Sequence, residues 1–94
     1  MKNKQLEIIR HYGEDHQLDK LIEECSELIQ AICKWKQNYL EIDSIDYLDN
    51  MLEEMADVKN VIEQFELTDE YIKEEIKRWK MEKVDRQLER IREE

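Results

Sequence analysis

The chain has 94 residues, a length that predicts a single domain spanning residues 1–94 with a modest core. Charged residues make up 43% of it, and the formal net charge of −10 argues against non-specific binding to nucleic acid. It has no proline and one glycine, which is typical of an all-α protein. There is no apolar run long enough for a membrane span and no hydrophobic stretch of a signal peptide, so we expect a cytoplasmic location.

The apolar periodicity predicts four helices, at residues 3–12, 15–38, 43–65 and from 69 toward the C-terminus. Gly13 should end the first helix because glycine accepts a left-handed conformation. Asp15 is the expected N-cap of the second helix and Thr68 that of the fourth. Residues 39–43 form the connection between the second and third helices. The expected fold is an antiparallel helix bundle, in which the second and third helices pack against each other.

Two acidic side chains of the second helix lie on or beside its apolar face. At roughly 100° per residue, one arc of this helix collects the following apolar residues: Leu18, Leu21, Ile22, Cys25, Leu28, Ile29, Ile32 and Trp35. Glu24 falls inside this arc and Glu27 lies at its edge. The neighbouring Glu23 points further toward solvent, as does Glu53 on the third helix.

The third helix repeats this arrangement. Glu54 falls inside its apolar arc and Asp57 lies at the edge. A carboxylate in a packing face is costly unless it is paired or binds a metal. Four carboxylates from two helices would form an oxygen-only site, which suits Mg²⁺ or Mn²⁺. The alternative is a solvated acidic face, because 25 of the 94 residues are acidic.

Several other side chains have both a functional and a purely structural interpretation. Lys34 lies two turns beyond Glu27, where it could reach a metal-bound phosphate or extend along the surface. Trp35 could stack on a base or pack in the core. His11 and His16 have no partner motif, and we expect surface or packing roles for both.

The two cysteines, Cys25 and Cys33, lie on the same predicted helix. Their separation along it, roughly 12 Å at 1.5 Å per residue, is too great for a disulfide between them. We expect both to be reduced packing residues.

The C-terminal segment is locally basic. Residues 73–92 contain eight lysines and arginines but only five acidic residues. Lys83 and Arg86 are the candidates for contacts with phosphate. The alternative is a solvated helix with ion pairs between neighbouring turns.

The order of these motifs resembles the signature of the MazG-like all-α nucleoside triphosphate pyrophosphohydrolases. The acidic part consists of residues 23–27 (EECSE), then 26 residues, then residues 54–57 (EMAD). Further similarity lies at residues 11–13 (HYG), 17–24 (QLDKLIEE), 54–58 (EMADV) and 83–91 (KVDRQLERI). The resemblance therefore extends over roughly residues 11–91 and is typical of a small stand-alone member.

The resemblance implies Mg²⁺-dependent hydrolysis of a nucleoside triphosphate to the monophosphate and pyrophosphate. By that analogy the metal ligands are Glu24, Glu27, Glu54 and Asp57. Lys83 and Arg86 become candidate phosphate contacts, with Lys34 as a further one. Trp35 remains a candidate for stacking on a base from its position on the second helix, with core packing as the alternative. Glu23, next to a metal ligand in this analogy, could orient or deprotonate the attacking water, and the alternative is a plain surface role.

The apolar helix faces lead to an expectation about the oligomeric state. One protomer of this size leaves apolar helix faces uncovered, so we expect a homodimer or a tetramer. Leu88 and Ile91 are candidate contacts between subunits.

The alternative function is a non-enzymatic acidic helical module that binds a basic partner. In such a module the carboxylates would be interchangeable surface charges.

Overall fold

A computed structural model describes all of residues 1–94 and contains four helices and no strand, which confirms the predicted all-α class. The helices are α1 (Lys2–Tyr12), α2 (Glu14–Asn38), α3 (Ser44–Thr68) and α4 (Glu70–Glu93). The most extensive helix contact is that of α2 with α3. Helix α1 packs against both of these helices, whereas α4 contacts only α3.

Gly13 alone separates α1 from α2. Its φ of 90° lies in the region that favours glycine, and a side chain there would meet no atom within 4 Å. The helix therefore breaks here because of backbone conformation and not for lack of space. The expected cap is wrong, because α2 begins at Glu14 and Asp15 lies within its first turn. An acidic residue there still interacts favourably with the positive end of the helix dipole.

The boundary between α3 and α4 also differs from the expectation. Helix α3 continues to Thr68, whose hydroxyl donates to the Phe65 carbonyl over 2.8 Å. Asp69 is the N-cap of α4 instead, and its Oδ1 accepts a hydrogen bond from the Tyr71 backbone nitrogen at 2.8 Å. A serine, threonine or aspartate cap satisfies the same free amide groups, so neighbouring candidates are hard to separate by residue type.

The buried face of α2 is not centred on its apolar arc. Helices α1 and α3 cover the stripe that contains Gln17, Glu24 and Ala31, which are 3%, 5% and 2% exposed. Ile22 and Ile29, both inside the predicted arc, are 66% and 63% exposed. The arc is wider than the surface that two neighbouring helices can cover, so its far side faces outward.

The cysteines and the residues of helix α4 are not buried. Cys25 and Cys33 are free and exposed, so the expected packing role is wrong for both. Helix α4 has no buried residue at all. None of the four helices combines the length and apolarity needed to cross a membrane.

Candidate functional site

Helices α2 and α3 bring three carboxylates together at their contact. Oxygen atoms of Glu24, Glu27 and Glu54 all lie within 4.8 Å of one another. The three-residue spacing places Glu24 and Glu27 on one face of α2, and the same spacing relates Glu54 to Asp57 on α3. Asp57 is half-buried and lines a pocket together with Glu24. All four acids that the sequence pattern indicated are thus neighbours in the fold.

Two carboxylate oxygens of this cluster are buried without a hydrogen-bond partner. They are Oε2 of Glu24 and Oε2 of Glu54, one from each helix. The other oxygen of Glu24, Oε1, is 3.0 Å from the Lys20 amine. A buried oxygen that accepts no hydrogen bond loses its hydration without compensation. The two oxygens therefore provide ligand atoms that a cation could satisfy.

Burial and mutual repulsion raise the pKa of three carboxyl groups in the cluster. The pKa of Glu54 is raised by burial and then by the charges of Glu27 and Asp57. Burial also raises the pKa of Glu27, and the charge of Glu24 adds to the effect. The pKa of Asp57 is raised by burial and then by the Glu24 charge. Without a cation, the cluster therefore favours the uptake of protons.

Lys20 supplies the nearest positive charge to the cluster, although it was not among the residues predicted for the site. Its hydrogen bond to Glu24 raises the pKa of the lysine amine, and the charges of Glu24 and Glu23 add to the shift. The i,i+4 spacing between Lys20 and Glu24 was the signal available in the sequence. One lysine offsets part of the negative charge but leaves Oε2 of Glu54 without a partner.

A pocket of about 330 Å³ adjoins the cluster at the junction of α1, α2 and α3. Its lining includes Lys20, Glu24 and Asp57 together with polar and aromatic side chains outside the acidic motif. Four of these are Tyr12, His16, Asn60 and Gln64. Glu24 and Asp57 thus open onto a space large enough for part of a small ligand.

The remaining candidates on α2 lie outside this pocket. The side chain of Glu23 is 58% exposed, and its Oε1 is 3.8 Å from the Lys20 amine. Lys34 is exposed, and Trp35 is half-buried with its ring 6.1 Å from that of Tyr39. The chain on its own does not bring Lys34 or Trp35 to the lining that contains Glu24.

The two basic candidates on α4 form contacts within their own helix. The Lys83 amine is 5.9 Å from the centre of the Trp79 ring. Arg86 donates to Oε1 of Glu82 over 2.8 Å. Because α4 contacts only α3, neither Lys83 nor Arg86 is brought to the pocket beside Glu24 within one chain.

No protein-family model matches this chain, and neither does any curated protein or solved structure. The geometry of the acidic cluster and the motif resemblance therefore carry the functional inference.

Proposed function

We propose that this protein is a Mg²⁺-dependent nucleoside triphosphate pyrophosphohydrolase of the MazG-like class. The observation that carries the proposal is the pair of buried, unpartnered carboxylate oxygens of Glu24 and Glu54. Structural acidic clusters are normally paired with basic groups or exposed to water. Here carboxylates from two helices face one another beside an open pocket, as a cation site requires.

Glu24, Glu27, Glu54 and Asp57 would hold Mg²⁺, with Mn²⁺ as a substitute, because oxygen-only ligand sets suit both ions. The bound cation would screen the charge of the triphosphate and lower the pKa of the attacking water. Glu23 is adjacent in sequence and exposed, a position from which a carboxylate could orient that water. Lys20 would then be free to exchange part of its contact with Glu24 for a phosphate oxygen.

The proposed contacts to the rest of the substrate extend beyond the pocket. We assign phosphate binding to Lys83 and Arg86, with Lys34 as a further contact and Trp35 as a surface for stacking. Since α4 of the same chain does not approach the pocket, a contact from Lys83 or Arg86 requires a second subunit or movement of α4.

Assembly into a homodimer or a tetramer is part of the proposal. The α2–α3 pair exposes large apolar side chains, among them Leu18 and Leu52, each 50% exposed. On α4 the apolar residues Leu88 and Ile91 are 41% and 61% exposed. Burying these faces against another copy would stabilise a small protomer. Sedimentation at micromolar concentration should therefore show an oligomer, and a monomer would contradict this part.

The protomer is proposed to be an antiparallel bundle. Contacts between α2 and α3 join Gln17 to Gln64, Glu24 to Asp57 and Glu27 to Glu54. Residue numbers thus rise along α2 as they fall along α3, which supports the arrangement. We place the activity in the cytoplasm, where thiols such as the free Cys25 and Cys33 stay reduced.

The test of the proposed function is the identity of the products. Purified protein should convert nucleoside triphosphates into the monophosphate and pyrophosphate with Mg²⁺ or Mn²⁺, and chelator should abolish the reaction. Release of inorganic phosphate and a diphosphate would contradict the proposed bond cleavage. If no nucleotide in a broad panel is hydrolysed and Mg²⁺ does not raise Tm, the acidic interaction module becomes the better interpretation.

A further inference from the structure

A groove between α1, α3 and α4 shares no lining residue with the acidic cluster and is predominantly basic. Its volume is about 790 Å³. Half-buried apolar side chains form part of its lining: Ile62, Leu67 and Ile76. Only two acidic residues line it, whereas the lysines in its lining, all exposed, number four: Lys2, Lys59, Lys73 and Lys80. This lysine groove is therefore locally positive in a chain whose formal net charge is −10.

The lysines of this groove have no acidic partner within the chain. All ion pairs of the chain involve Lys20, Arg78 or Arg86. Of the two acids in the lining, Glu63 accepts a hydrogen bond from Nε2 of Gln5 over 3.1 Å. The four amines therefore remain available around an apolar surface. This combination matches an occupant that has both acidic and apolar side chains.

The connection between α2 and α3 has that complementary composition. We call residues 39–46 (YLEIDSID) the acidic connection, and its last three residues belong to α3. Leu40 and Ile42 are 83% and 104% exposed, and Glu41 and Asp43 beside them are exposed too. The segment contains no basic residue. Neighbouring large apolar side chains that are this accessible indicate a surface that another molecule covers.

The acidic connection cannot reach the lysine groove of its own chain. It joins the N-terminal end of α3, whereas Ile62 and Leu67 of the groove lie in the C-terminal half of that helix. From Ile45 to Ile62 the rise along the helix is roughly 25 Å at 1.5 Å per residue. A contact between these two complementary surfaces therefore requires a second copy of the chain.

An apolar seam on α3 leads from the acidic connection to the lysine groove. Its residues are spaced alternately by three and four positions, which places them on one face of the helix: Ile45, Leu48, Leu52, Met55, Lys59 and Ile62. Ile45, Leu52 and Met55 are exposed, so no other helix of the chain covers this part of the seam. Alternate spacing of this kind is the pattern by which two helices pack side by side.

We propose that a second copy of the chain packs antiparallel along this α3 seam and inserts its acidic connection into the lysine groove. The antiparallel direction follows because the seam has the connection at one end and the groove at the other. Two-fold symmetry then creates the same contact twice, with Leu52 and Met55 near the axis. The acids of the connection would lie among the lysine amines, and its Leu40 and Ile42 would cover the apolar part of the groove. This inference rests on the oligomer that the proposed function includes, but it does not depend on nucleotide hydrolysis.

Charge reversal on both surfaces tests the contact. Wild-type protein should sediment as a dimer or a larger oligomer at micromolar concentration. Lys59→Glu with Lys73→Glu in the groove should raise the dimer dissociation constant by about tenfold or more, because repulsion replaces attraction at two contacts. Glu41→Lys with Asp43→Lys in the connection should have the same effect. A variant with all four substitutions places opposite charges together again, so it should recover most of the lost affinity.

A matched control reverses two lysines outside the groove. Lys4→Glu with Lys77→Glu changes the net charge equally at exposed positions of α1 and α4 and should leave the dissociation constant close to that of the wild type. All substituted side chains are exposed, so helix content measured by circular dichroism should not change. Unchanged affinity in both reversed pairs would overturn the proposal, as would a fourfold variant that associates no more tightly than either pair.

Cysteine cross-linking locates the contact directly. In a background of Cys25→Ser and Cys33→Ser, a mixture of Ile42→Cys chains and Lys73→Cys chains should form a disulfide-linked dimer on mild oxidation. Ile42→Cys chains alone should not, because the two-fold axis places the two connections at opposite ends of the seam. No link in the mixture, or a stronger link with Ile42→Cys alone, would overturn the arrangement.

These measurements separate the inference from the proposed hydrolysis. Neither sedimentation nor cross-linking requires turnover, so both can support the contact even if no triphosphate is cleaved. Pyrophosphate release by a protein that sediments as a monomer would leave the hydrolysis intact and overturn the contact. Pyrophosphate release by an oligomer that is insensitive to both charge reversals would overturn it as well.

Discussion

Glu54 in α3 and Glu82 in α4 are the same residue type in helices of similar length, yet their surroundings are opposite. Glu82 accepts from Arg78 over 3.4 Å and from Arg86 over 2.8 Å, each one turn away on its own helix. Glu54 faces the carboxylates Glu27 and Asp57, and one of its oxygens has no partner. The acid in α4 is neutralised locally, whereas the acid in α3 meets charges of its own sign.

Helical spacing alone therefore does not determine the role of an acidic residue. The charged side chains of α4 at i,i+3 and i,i+4 spacing neutralise one another within their own helix. In the cluster, burial is the largest cause of the raised pKa of Glu54, and the largest charge contribution comes from Glu27 on α2, across the helix contact. A candidate site acid is thus distinguished by the sign of its neighbours on other elements.

The strongest test of this contrast is the pair Glu54→Gln and Glu53→Gln. Loss of a metal ligand at Glu54 should reduce pyrophosphate release by at least about a hundredfold, since changes to the outer shell of metal sites already cost about 10–100-fold. Glu53 is exposed and outside the cluster, so its variant should remain close to the wild type. Near-normal activity in Glu54→Gln would mean that the cluster is not the metal site.

A smaller effect on activity is expected from the basic residues of α4. Lys83→Ala and Arg86→Ala should each weaken substrate binding or turnover by about tenfold, which corresponds to one lost charge-assisted contact. Both side chains are exposed, so helix content measured by circular dichroism should not change. If both variants keep wild-type kinetics, α4 acts only through its ion pairs.

The pH dependence of stability should reveal the burial and the mutual repulsion of the acids in the cluster. The folded state raises the pKa of Glu27, Glu54 and Asp57, so it binds more protons than the unfolded chain at pH values above their ordinary range. In chelator, this contribution to stability is fully present below the ordinary pKa values of 4.5, 4.5 and 3.8. It is lost as the pH rises through the raised values.

Glu54→Gln isolates the contribution of one carboxyl group from that of the overall charge of −10. In chelator its Tm should fall less steeply with rising pH than that of the wild type and should be equal or higher at neutral pH. Glu53→Gln removes the same charge at an exposed position. Because the Glu53 charge is only a lesser cause of the raised pKa of Asp57, this variant should change the slope less than Glu54→Gln does. Parallel curves for wild type and Glu54→Gln would show that neither burial nor repulsion raises the pKa of Glu54.

The smallest effect should come from Glu82→Gln. Its two ion pairs join side chains that are 40%, 49% and 53% exposed, and such pairs contribute about 0.2–1 kcal/mol each. Removal of Glu82 should therefore lower Tm slightly, and added salt should reduce the difference further. Glu54→Gln in chelator should shift Tm in the opposite direction, or not at all. Equal Tm shifts of the same sign in Glu82→Gln and Glu54→Gln would contradict the difference between the two regions.

Residue periodicity predicted the number of helices and the position of Glu24 and Glu54 toward the packing face, and the single glycine predicted the break at Gly13. These features depend on local backbone preference and on a repeat of about 3.6 residues. Both can be recognised from neighbouring residues in the sequence. For the same reason the four acids could be grouped from their spacing along the chain.

The packing of the helices determined which edge of the apolar arc of α2 is covered, and it left Ile22 and Ile29 exposed while burying Gln17. It also brought Gln17 to Gln64, residues that lie 47 positions apart in the chain. Such contacts depend on how α1 and α3 approach α2, which no local pattern encodes. The candidate metal ligands were predictable because a charge in an apolar arc is conspicuous, whereas neutral amides become recognisable only when folding pairs them across helices.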